Sequence, residues 1–299
     1  MRKLLFKNST LLTIIPIAFV ILWATGFVGA RFAMPYADPF AFLSVRFAAT
    51  LIILGVFIII VKEKLPTGKA FNFTLITGIF IHTIYLGAVF WAIKNGLPAG
   101  FAGVIVGLQP MITAILAVLL IKDKISFKQI IGLFIGFIGI CLVFFPKIIS
   151  GFALIYILNA IIILFGVIAF SFGAVLQKKY ANHETLIGGI WVQYLGAFLL
   201  SLPIALLFED FNFKWSGELI FAFIWLTLVL SIGAILLLMI MIKAGEATKV
   251  AAYFYLVPAV TAITAYFLFN ETLNLIQIIG IIIASIAVAL VTIFSKTKV

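Results

Sequence analysis

Residues 107–144 read GLQPMITAILAVLLIKDKISFKQIIGLFIGFIGICLVF, and residues 255–292 read YLVPAVTAITAYFLFNETLNLIQIIGIIIASIAVALVT. The two stretches begin 148 residues apart and are identical at 15 of 38 positions without a gap. Because a composition this apolar gives roughly 4 matches by chance, the likeness indicates two copies of one structural unit.

Apolar residues dominate the chain. It is 66% hydrophobic and 10% charged, whereas about a quarter of the residues in soluble domains are charged. Runs of about 20 apolar residues, each long enough to cross the hydrocarbon core of a bilayer, cover residues 11–32, 40–61, 71–93, 98–121, 127–145, 153–177, 185–207, 218–242, 249–269 and 275–294. Short loops join them and no barrel-like alternation is present, so we predict an all-α polytopic membrane protein with ten transmembrane helices.

The repeat also extends upstream, less clearly. Residues 23–26 (WATG) align with 170–173 (FSFG), and residues 45–47 (VRF) align with 192–194 (VQY). Each copy then holds five helices, with boundaries at 1–147 and 148–299. Since five is odd, the second copy enters the membrane from the opposite face, which predicts two inverted repeats around a central cavity. Inverted repeats are typical of secondary transporters; duplication by ancestry alone, without transport, is the alternative.

The net charge of +11 is spread over the loops and forms no single patch. With a cytoplasmic N-terminus, the cytoplasmic segments hold 15 Lys and Arg residues, and the opposite side holds Arg31, Lys94, Lys147 and Lys214. Because positive charge is retained in the cytoplasm, we predict a multi-pass protein of the cytoplasmic (inner) membrane with both termini inside. The basic charge reports topology, and we expect no nucleic-acid partner.

The first apolar run and Cys141 are both interpreted as structural features without a role in function. The first apolar run is too long for an ordinary signal sequence, so we expect an uncleaved span. Cys141 is the one cysteine of the chain, and we expect it to be a small buried apolar residue of the fifth helix.

Two prolines occupy equivalent positions of the repeat. Pro110 falls in the fourth helix and Pro258 in the ninth. Because proline removes a backbone donor and clashes with the preceding turn, both helices should be kinked or opened near the middle of the membrane. Paired breaks indicate a substrate path; simple kinks with packing roles are the alternative.

Arg46 lies about two turns into the second helix from the outer side. A charge in hydrocarbon costs a few kcal/mol or more unless it snorkels or finds a partner. Three roles stay open: an outer latch or brace with Glu271, or with the nearer Asp38; snorkelling to the interface; or a contact with substrate.

His82 lies at the centre of the third helix, and Tyr85 follows on the same face. A histidine here is either a hydrogen-bonded packing residue or a ligand or proton site. No Asp or Glu lies deep in any span, so His82 is the group through which proton coupling, if present, would run.

A mixture of aromatic and small polar side chains is predicted to line the cavity, although single Trp and Tyr residues often serve as interface anchors. With His82 and Tyr85, the candidates are Trp23, Thr25, Phe27, Trp91, Gln109, Phe170, Ser171, Tyr253 and Tyr255. Gln109 and Tyr255 flank the two prolines. No central cluster of Lys and Arg is present, which argues against a phosphorylated or strongly anionic substrate.

The chain resembles the drug/metabolite transporter superfamily, in its ten-helix EamA-type branch. The resemblance spans essentially the whole length and rests on WATGFVGARF (23–32), PFAFLSVRFAAT (39–50) and LIKDKISFKQIIGLFIGFIGICLVF (120–144), which recurs as LFNETLNLIQIIGIIIASIAVALV (268–291). An acidic residue after the fourth and ninth helices is typical of the family; here Asp123 replaces the usual Glu, and Glu271 fits. The resemblance implies export or exchange of small metabolites, often amino acids, through a cavity lined by helices 1, 3, 4, 6, 8 and 9.

Other functions are less well supported by the residues. An intramembrane enzyme would need paired carboxylates, a metal cluster or a nucleophile–base set, and a pump would need a phosphate-binding loop. We therefore expect a non-enzyme without cofactors whose partners are a small-molecule substrate and the lipid bilayer, as a monomer or homodimer. Members of the superfamily also carry nucleotide-like cofactors and drugs, so import or exchange of a cofactor-type metabolite is the alternative, followed by a channel or a non-transporting membrane protein.

Overall fold

The structure is a computed structural model that describes residues 9–149, 154–180, 186–243, 253–269 and 274–293. Helices occupy the ten predicted spans: α1 (Ser9–Ala33), α2 (Pro39–Val61), α3 (Gly68–Lys94), α4 (Ala99–Val106 and Gln109–Ile121), α5 (Phe127–Ile149), α6 (Leu154–Tyr180), α7 (Leu186–Phe208), α8 (Gly217–Ile224, Trp225–Ala234 and Ile235–Lys243), α9 (Phe254–Leu256 and Val257–Phe269) and α10 (Leu275–Ile293). Among the described residues, seven of these helices are long and apolar enough to cross a membrane, and α5, α9 and α10 contribute shorter apolar stretches. The predicted all-helical membrane fold is confirmed.

Large apolar side chains point outward from the bundle. Ile59 is 77% exposed, Phe208 79% and Phe267 76%. Such surfaces are unfavourable in water and suit the acyl chains of a bilayer. Cys141 lies on the exposed side of α5, so its predicted burial is wrong: the fifth helix turns this position away from its packing partners.

The loops gather at two opposite faces of the bundle. One face holds the loop between α1 and α2 and is called the α1–α2 face; the opposite face holds the loop between α2 and α3 and is called the α2–α3 face. On the α1–α2 face, the Lys94 Nζ at the end of α3 contacts the Asp38 carboxylate at 3.0 Å. The backbone amide of Lys214, in the α7–α8 loop, donates a hydrogen bond to the Tyr36 carbonyl on the same face. On the α2–α3 face, the Lys178 Nζ at the end of α6 contacts the Asp123 carboxylate after α4 at 2.7 Å.

Glu63, just after α2, caps the start of α7. Its Oε1 accepts hydrogen bonds from the backbone amides of Ile187 at 3.0 Å and Gly188 at 3.3 Å. The first amides of a helix have no partner within the helix and carry partial positive charge, so a carboxylate at this end satisfies both needs.

Glu209, just after α7, caps the start of α2 in the same way. Its Oε1 accepts from the Phe40 amide at 3.0 Å, and its Oε2 accepts from the Ala41 amide at 2.6 Å. Partial burial raises the pKa of Glu209, while the two amide donors oppose this shift. Since each helix ends in a glutamate that caps the other helix, α2 and α7 run antiparallel and are related by a pseudo-two-fold axis.

Both prolines lie at helix breaks, as predicted. Helix α4 is interrupted at residues 107–108, and Pro110 is the second residue of the segment that follows. In α9 a 3₁₀ turn (Phe254–Leu256) precedes the α-helix in which Pro258 is again second. Proline is tolerated there because its missing N–H would have no helical partner. A Cβ at Gly107 would lie 2.8 Å from the Pro258 ring, so the two breaks touch.

Helices α3 and α7 approach so closely that only glycine fits at the crossing. A Cβ added at Gly78 would collide with the backbone carbonyl of Gln193, and one added at Gly196 would collide with the carbonyl of Leu75. The close approach brings the middle of α3 against the middle of α7.

We predict that Glu209→Gln destabilises the protein more than Glu63→Gln does, by about 1 kcal/mol. Glu63 uses one oxygen for both amides, which a glutamine carbonyl can replace, whereas Glu209 uses both oxygens and a glutamine would aim an NH₂ at an N–H. Thermal unfolding in detergent measures this, with exposed Asp210→Asn as the matched control. Equal losses for the two Gln variants would contradict the capping geometry.

We predict that Gly78→Ala and Gly196→Ala each lower stability by more than about 3 kcal/mol, because backbone atoms must move to admit the methyl group. Gly217→Ala, where nothing lies within 4 Å of the added Cβ, is the control. The yield of monodisperse protein on size-exclusion chromatography and its melting temperature are the measurements. Normal behaviour of both α3 and α7 variants would show that the helices are further apart.

Central cavity as the candidate functional site

A narrow cavity, with about 30 Å³ of free space, lies between α1, α2, α3, α7 and α8. Its lining is mainly aromatic and aliphatic, with a few polar groups. The lining residues are Trp23, Gly26, Phe27, Arg46, Ile81, His82, Tyr85, Leu86, Val89, Phe90, Tyr194, Leu226, Leu230 and Ile235. An apolar lining with a few orienting polar groups is typical of small-molecule sites.

Aromatic rings close the cavity on the side where α1 begins. Trp23 stacks on Tyr85, with 6.4 Å between ring centroids, and meets Phe170 and Phe254 edge-on at 5.7 and 5.2 Å. Phe19, one turn earlier in α1, packs on Trp23 and Phe254. All these rings are buried, so they separate the cavity from the α2–α3 face.

His82 is held by two neighbours from α7. Its Nε2 lies 3.2 Å from the Gln193 Oε1, and its ring stacks on Tyr194 at 4.4 Å with 15° between the planes. The Gln193 amide also reaches the Met239 sulfur of α8. The imidazole is therefore both hydrogen-bonded for packing and part of the cavity wall.

Arg46 is 2% exposed and reaches into the cavity from α2. Its Nε donates to the Ser231 Oγ of α8 at 2.9 Å. The predicted partner Asp38 is instead bound to Lys94, and Glu271 lies outside the described residues. Snorkelling to the interface is also wrong, because the side chain is buried against α8 and does not reach the end of the bundle.

The polar contacts of Arg46 and His82 are equivalent under the repeat. Arg46 aligns with Gln193, 147 residues later, and the position of His82 corresponds closely to that of Ser231, 149 residues later. Each bond joins the second helix of one half to the third helix of the other. The central polar groups therefore obey the same pseudo-symmetry as the glutamate caps.

Wide π-helical turns position His82, which donates to the Gln193 Oε1, and Ser231, which accepts from Arg46. They span Ile79–Ile84 in α3 and Trp225–Ala234 in α8. Gly26 of α1 makes room for the Leu230 side chain, and Gly173 of α6 makes room for Ile81; an added Cβ would lie 2.6 and 2.9 Å from them. Such turns occur mostly as short insertions in helices, frequently at functional sites.

Four of the predicted cavity residues line the cavity: Trp23, Phe27, His82 and Tyr85. Phe170 packs directly behind Trp23 and Tyr85. These residues share the inward faces of α1, α3 and α6.

Other predicted residues lie in helix contacts. Thr25 accepts a hydrogen bond from the Trp225 indole at 2.9 Å, and Ser171 bonds to Thr113 at 2.9 Å, which joins α6 to α4. Gln109 is buried with its Oε1 unpartnered among the described residues, away from the cavity lining. Trp91 is half-buried and does not line the cavity.

The remaining predicted residues belong to α9. Tyr253 packs between the main core and the smaller cluster formed with α5. The side chain of Tyr255 lies outside the described part of the structure. Helices α2 and α7 line the cavity in place of α4, α6 and α9. Of the six helices that the resemblance implies, α1, α3 and α8 therefore line the cavity and the other three do not.

Sequence reasoning missed Ser231, and it noted Gln193 and Tyr194 only as the repeat mates of Arg46 and Phe47. Polar residues at equivalent positions of α2 and α7, in otherwise apolar stretches, were the available signal.

Comparison with known proteins agrees with this architecture. The EamA-like transporter family matches this chain twice, at residues 10–145 and 157–293. The uncharacterized transporter YvbV of Bacillus subtilis is 24% identical over 93% of this chain and 90% of its own length. The S-adenosylmethionine uptake transporter of Rickettsia prowazekii is 26% identical over 84% of this chain and 81% of its own.

A solved crystal structure shares the fold. It superposes with a TM-score of 0.75 at 16% sequence identity and covers 96% of this chain and 98% of the other. The family profile covers both halves of the repeat, and the helices it spans enclose the cavity described above. The chain therefore belongs to the EamA-like transporter family of multi-pass membrane proteins.

Proposed function

We propose that this protein is a secondary transporter that moves a small neutral or zwitterionic metabolite, an amino acid or a related compound, out of the cell by alternating access. The observation that supports this most strongly is the cavity between the two halves, with hydrogen bonds crossing from each half to the other. A site at such a boundary can open to either side when the halves exchange conformations.

The inter-helix contacts at the two faces are the proposed gates. Glu209 and Lys214 join the second half to the α1–α2 face, and Glu63 and Lys178 join the halves at the α2–α3 face. Opening one face requires only that its polar contacts break, because charged groups at a bundle end can be hydrated. The Lys178–Asp123 ion pair is partly exposed, and ion pairs at a protein surface contribute about 1 kcal/mol or less, so this contact is easily broken.

We infer that the two units comprise residues 1–147 and 148–299, in a cytoplasmic (inner) membrane, with both termini in the cytoplasm. The Escherichia coli relative YedA, 26% identical over 92% of this chain, is named an inner membrane transporter. The excess of Lys and Arg on one set of loops supports the orientation. Accessibility labelling of single-cysteine variants at Lys124 and Glu271 tests it: reaction from the same side would contradict both the topology and the inverted repeat.

A second candidate function is uptake or exchange of a nucleotide-like or other cofactor-type metabolite. It is favoured by the relative that is named an S-adenosylmethionine uptake transporter. Aromatic rings such as Trp23 and Tyr85 could stack on a base as readily as they surround an apolar side chain.

Counterflow in proteoliposomes tests carrier function. Liposomes loaded with an unlabelled candidate should accumulate the labelled compound transiently, and the initial rate should saturate with concentration. Unsaturable flux would support a channel instead, and no flux for amino acids, nucleosides or cofactors would support a non-transporting membrane protein.

We predict that Trp23→Phe weakens ligand binding about fivefold, because the smaller ring removes contact area from the cavity wall. Trp91→Phe is the matched control, since Trp91 does not line the cavity. Ligands are found by screening amino acids, nucleosides and cofactors for a rise in melting temperature, and affinities follow from the dependence on concentration. Equal effects of the two substitutions would place the site elsewhere.

If a proton gradient drives transport, we predict that His82→Gln abolishes gradient-driven accumulation and leaves counterflow intact. Glutamine can still bond to Gln193, but it cannot take up and release a proton, and His82 is the one histidine among the cavity-lining residues. Accumulation and counterflow are measured in the same proteoliposomes. Gradient-driven accumulation that survives in the variant would exclude His82 as the coupling residue.

A further inference from the structure

Arg46 is a buried cation whose charge has no carboxylate partner in the described part of the chain. Neither of the two ion pairs found there includes it. Its Nε is bound to the neutral Ser231 hydroxyl, and its Nη1 has no hydrogen-bond partner among the described residues. A buried donor without a partner is rare, and a buried charge without one is unfavourable.

Tyr194 offers a second unpartnered donor at the same end of the cavity. Its hydroxyl lies near Arg46 and Ser231 but forms no hydrogen bond of normal geometry within the described residues. The ring is fixed between His82 at 4.4 Å and Phe47 at 5.5 Å. Arg46 and Tyr194 both line the cavity, so the residues that carry the two donors and the positive charge border the same space.

We propose that the cavity binds a single carboxylate group of the transported metabolite, through the Arg46 guanidinium and the Tyr194 hydroxyl. Ser231 is a positioning residue, because its bond to Nε leaves the far edge of the guanidinium free to face the cavity. This inference rests on the proposed function in one respect only: it takes the cavity to be the substrate site.

The charge balance favours a carboxylate over a phosphate. Among the lining residues Arg46 is the one Lys or Arg. A monocarboxylate brings one negative charge and matches the planar fork of a guanidinium. A phosphate monoester brings between one and two negative charges at neutral pH, which would leave excess negative charge in a site of low dielectric constant.

The rest of the lining is chemically suited to the body of such a metabolite, and the two halves must move apart to admit it. Phe27, Phe90, Leu226 and Leu230 provide apolar surface, and the stacked pair of Trp23 and Tyr85 presents ring faces. An amino group of the same metabolite could be stabilised over these rings by a cation–π contact. A zwitterion would then lie with its carboxylate toward α2 and its remaining atoms toward α1 and α3.

The experiment compares acids with their own amides. The melting temperature of the purified full-length protein is titrated with L-leucine, L-methionine and L-phenylalanine, and with the carboxamide of each. We expect at least one acid to stabilise the protein, with its carboxamide about tenfold weaker or more. Arg46→Gln should remove this preference, and Arg46→Lys should keep part of it because the charge remains without the fork.

Tyr194→Phe gives an independent test, because it removes one hydroxyl and keeps the ring that stacks on His82. We expect it to weaken binding of the acid about threefold or more. Tyr266→Phe, on the 49% exposed Tyr266 of α9, is the matched control and should bind as the unaltered protein does. If Arg46→Gln does not fold, the pair of tyrosine variants decides the question.

Equal stabilisation by an acid and its amide, stabilisation by none of the three acids, or a preference that survives in Arg46→Gln would each overturn the carboxylate site. Counterflow of the same acids separates this inference from the proposed function. Arg46-dependent binding without counterflow would overturn the carrier and leave the site standing. Counterflow unchanged in Arg46→Gln would uphold the carrier and overturn the site.

Discussion

Two hydrogen bonds cross the centre of the protein, and the surrounding helices are arranged to make them. One joins Arg46 to Ser231 and the other joins His82 to Gln193. In the interior of a membrane protein no bulk water is available to hydrogen-bond a polar group, so each of these groups needs a protein partner. The partner always belongs to the other half of the chain. The polar centre therefore stabilises the association of the halves as well as the shape of the cavity.

Reciprocal contacts from one half to the other are also seen at both ends of the bundle. Glu63 of the first half caps α7, and Glu209 of the second half caps α2. Antiparallel pairing places the C-terminal end of one helix beside the N-terminal end of its partner, where a carboxylate is most stabilising. An inverted duplication gives this pairing automatically, because any contact from one half to the other is matched by its reverse. The stability of the bundle and the proposed exchange of conformations would then have one origin.

The helices and their breaks could be predicted because they depend on local sequence. Apolar length gave all ten spans, and Pro110 and Pro258 marked two breaks. The orientation of individual side chains depends on how each helix is rotated in the bundle, and single-sequence periodicity is weak when nearly every residue is apolar. Trp91 and Thr25 were therefore assigned to a cavity that they do not line. The π-helical turns of α3 and α8 could not be foreseen, because their residues carry no distinctive pattern and the turns are stabilised by glycines of neighbouring helices.

The two halves differ at the polar residues that join them at the centre of the protein. Arg46 of the first half corresponds to Gln193 of the second, and His82 corresponds to Ser231. By contrast, the residue that caps the partner helix is a glutamate in both halves. A symmetric pair of halves with two arginines would place two like charges about one small cavity, which repel strongly at low dielectric constant. Divergence to one arginine leaves a cavity with a single positively charged side. Under the proposed mechanism, a substrate with one charged group would have a preferred orientation and would keep it while the surrounding halves exchange conformations.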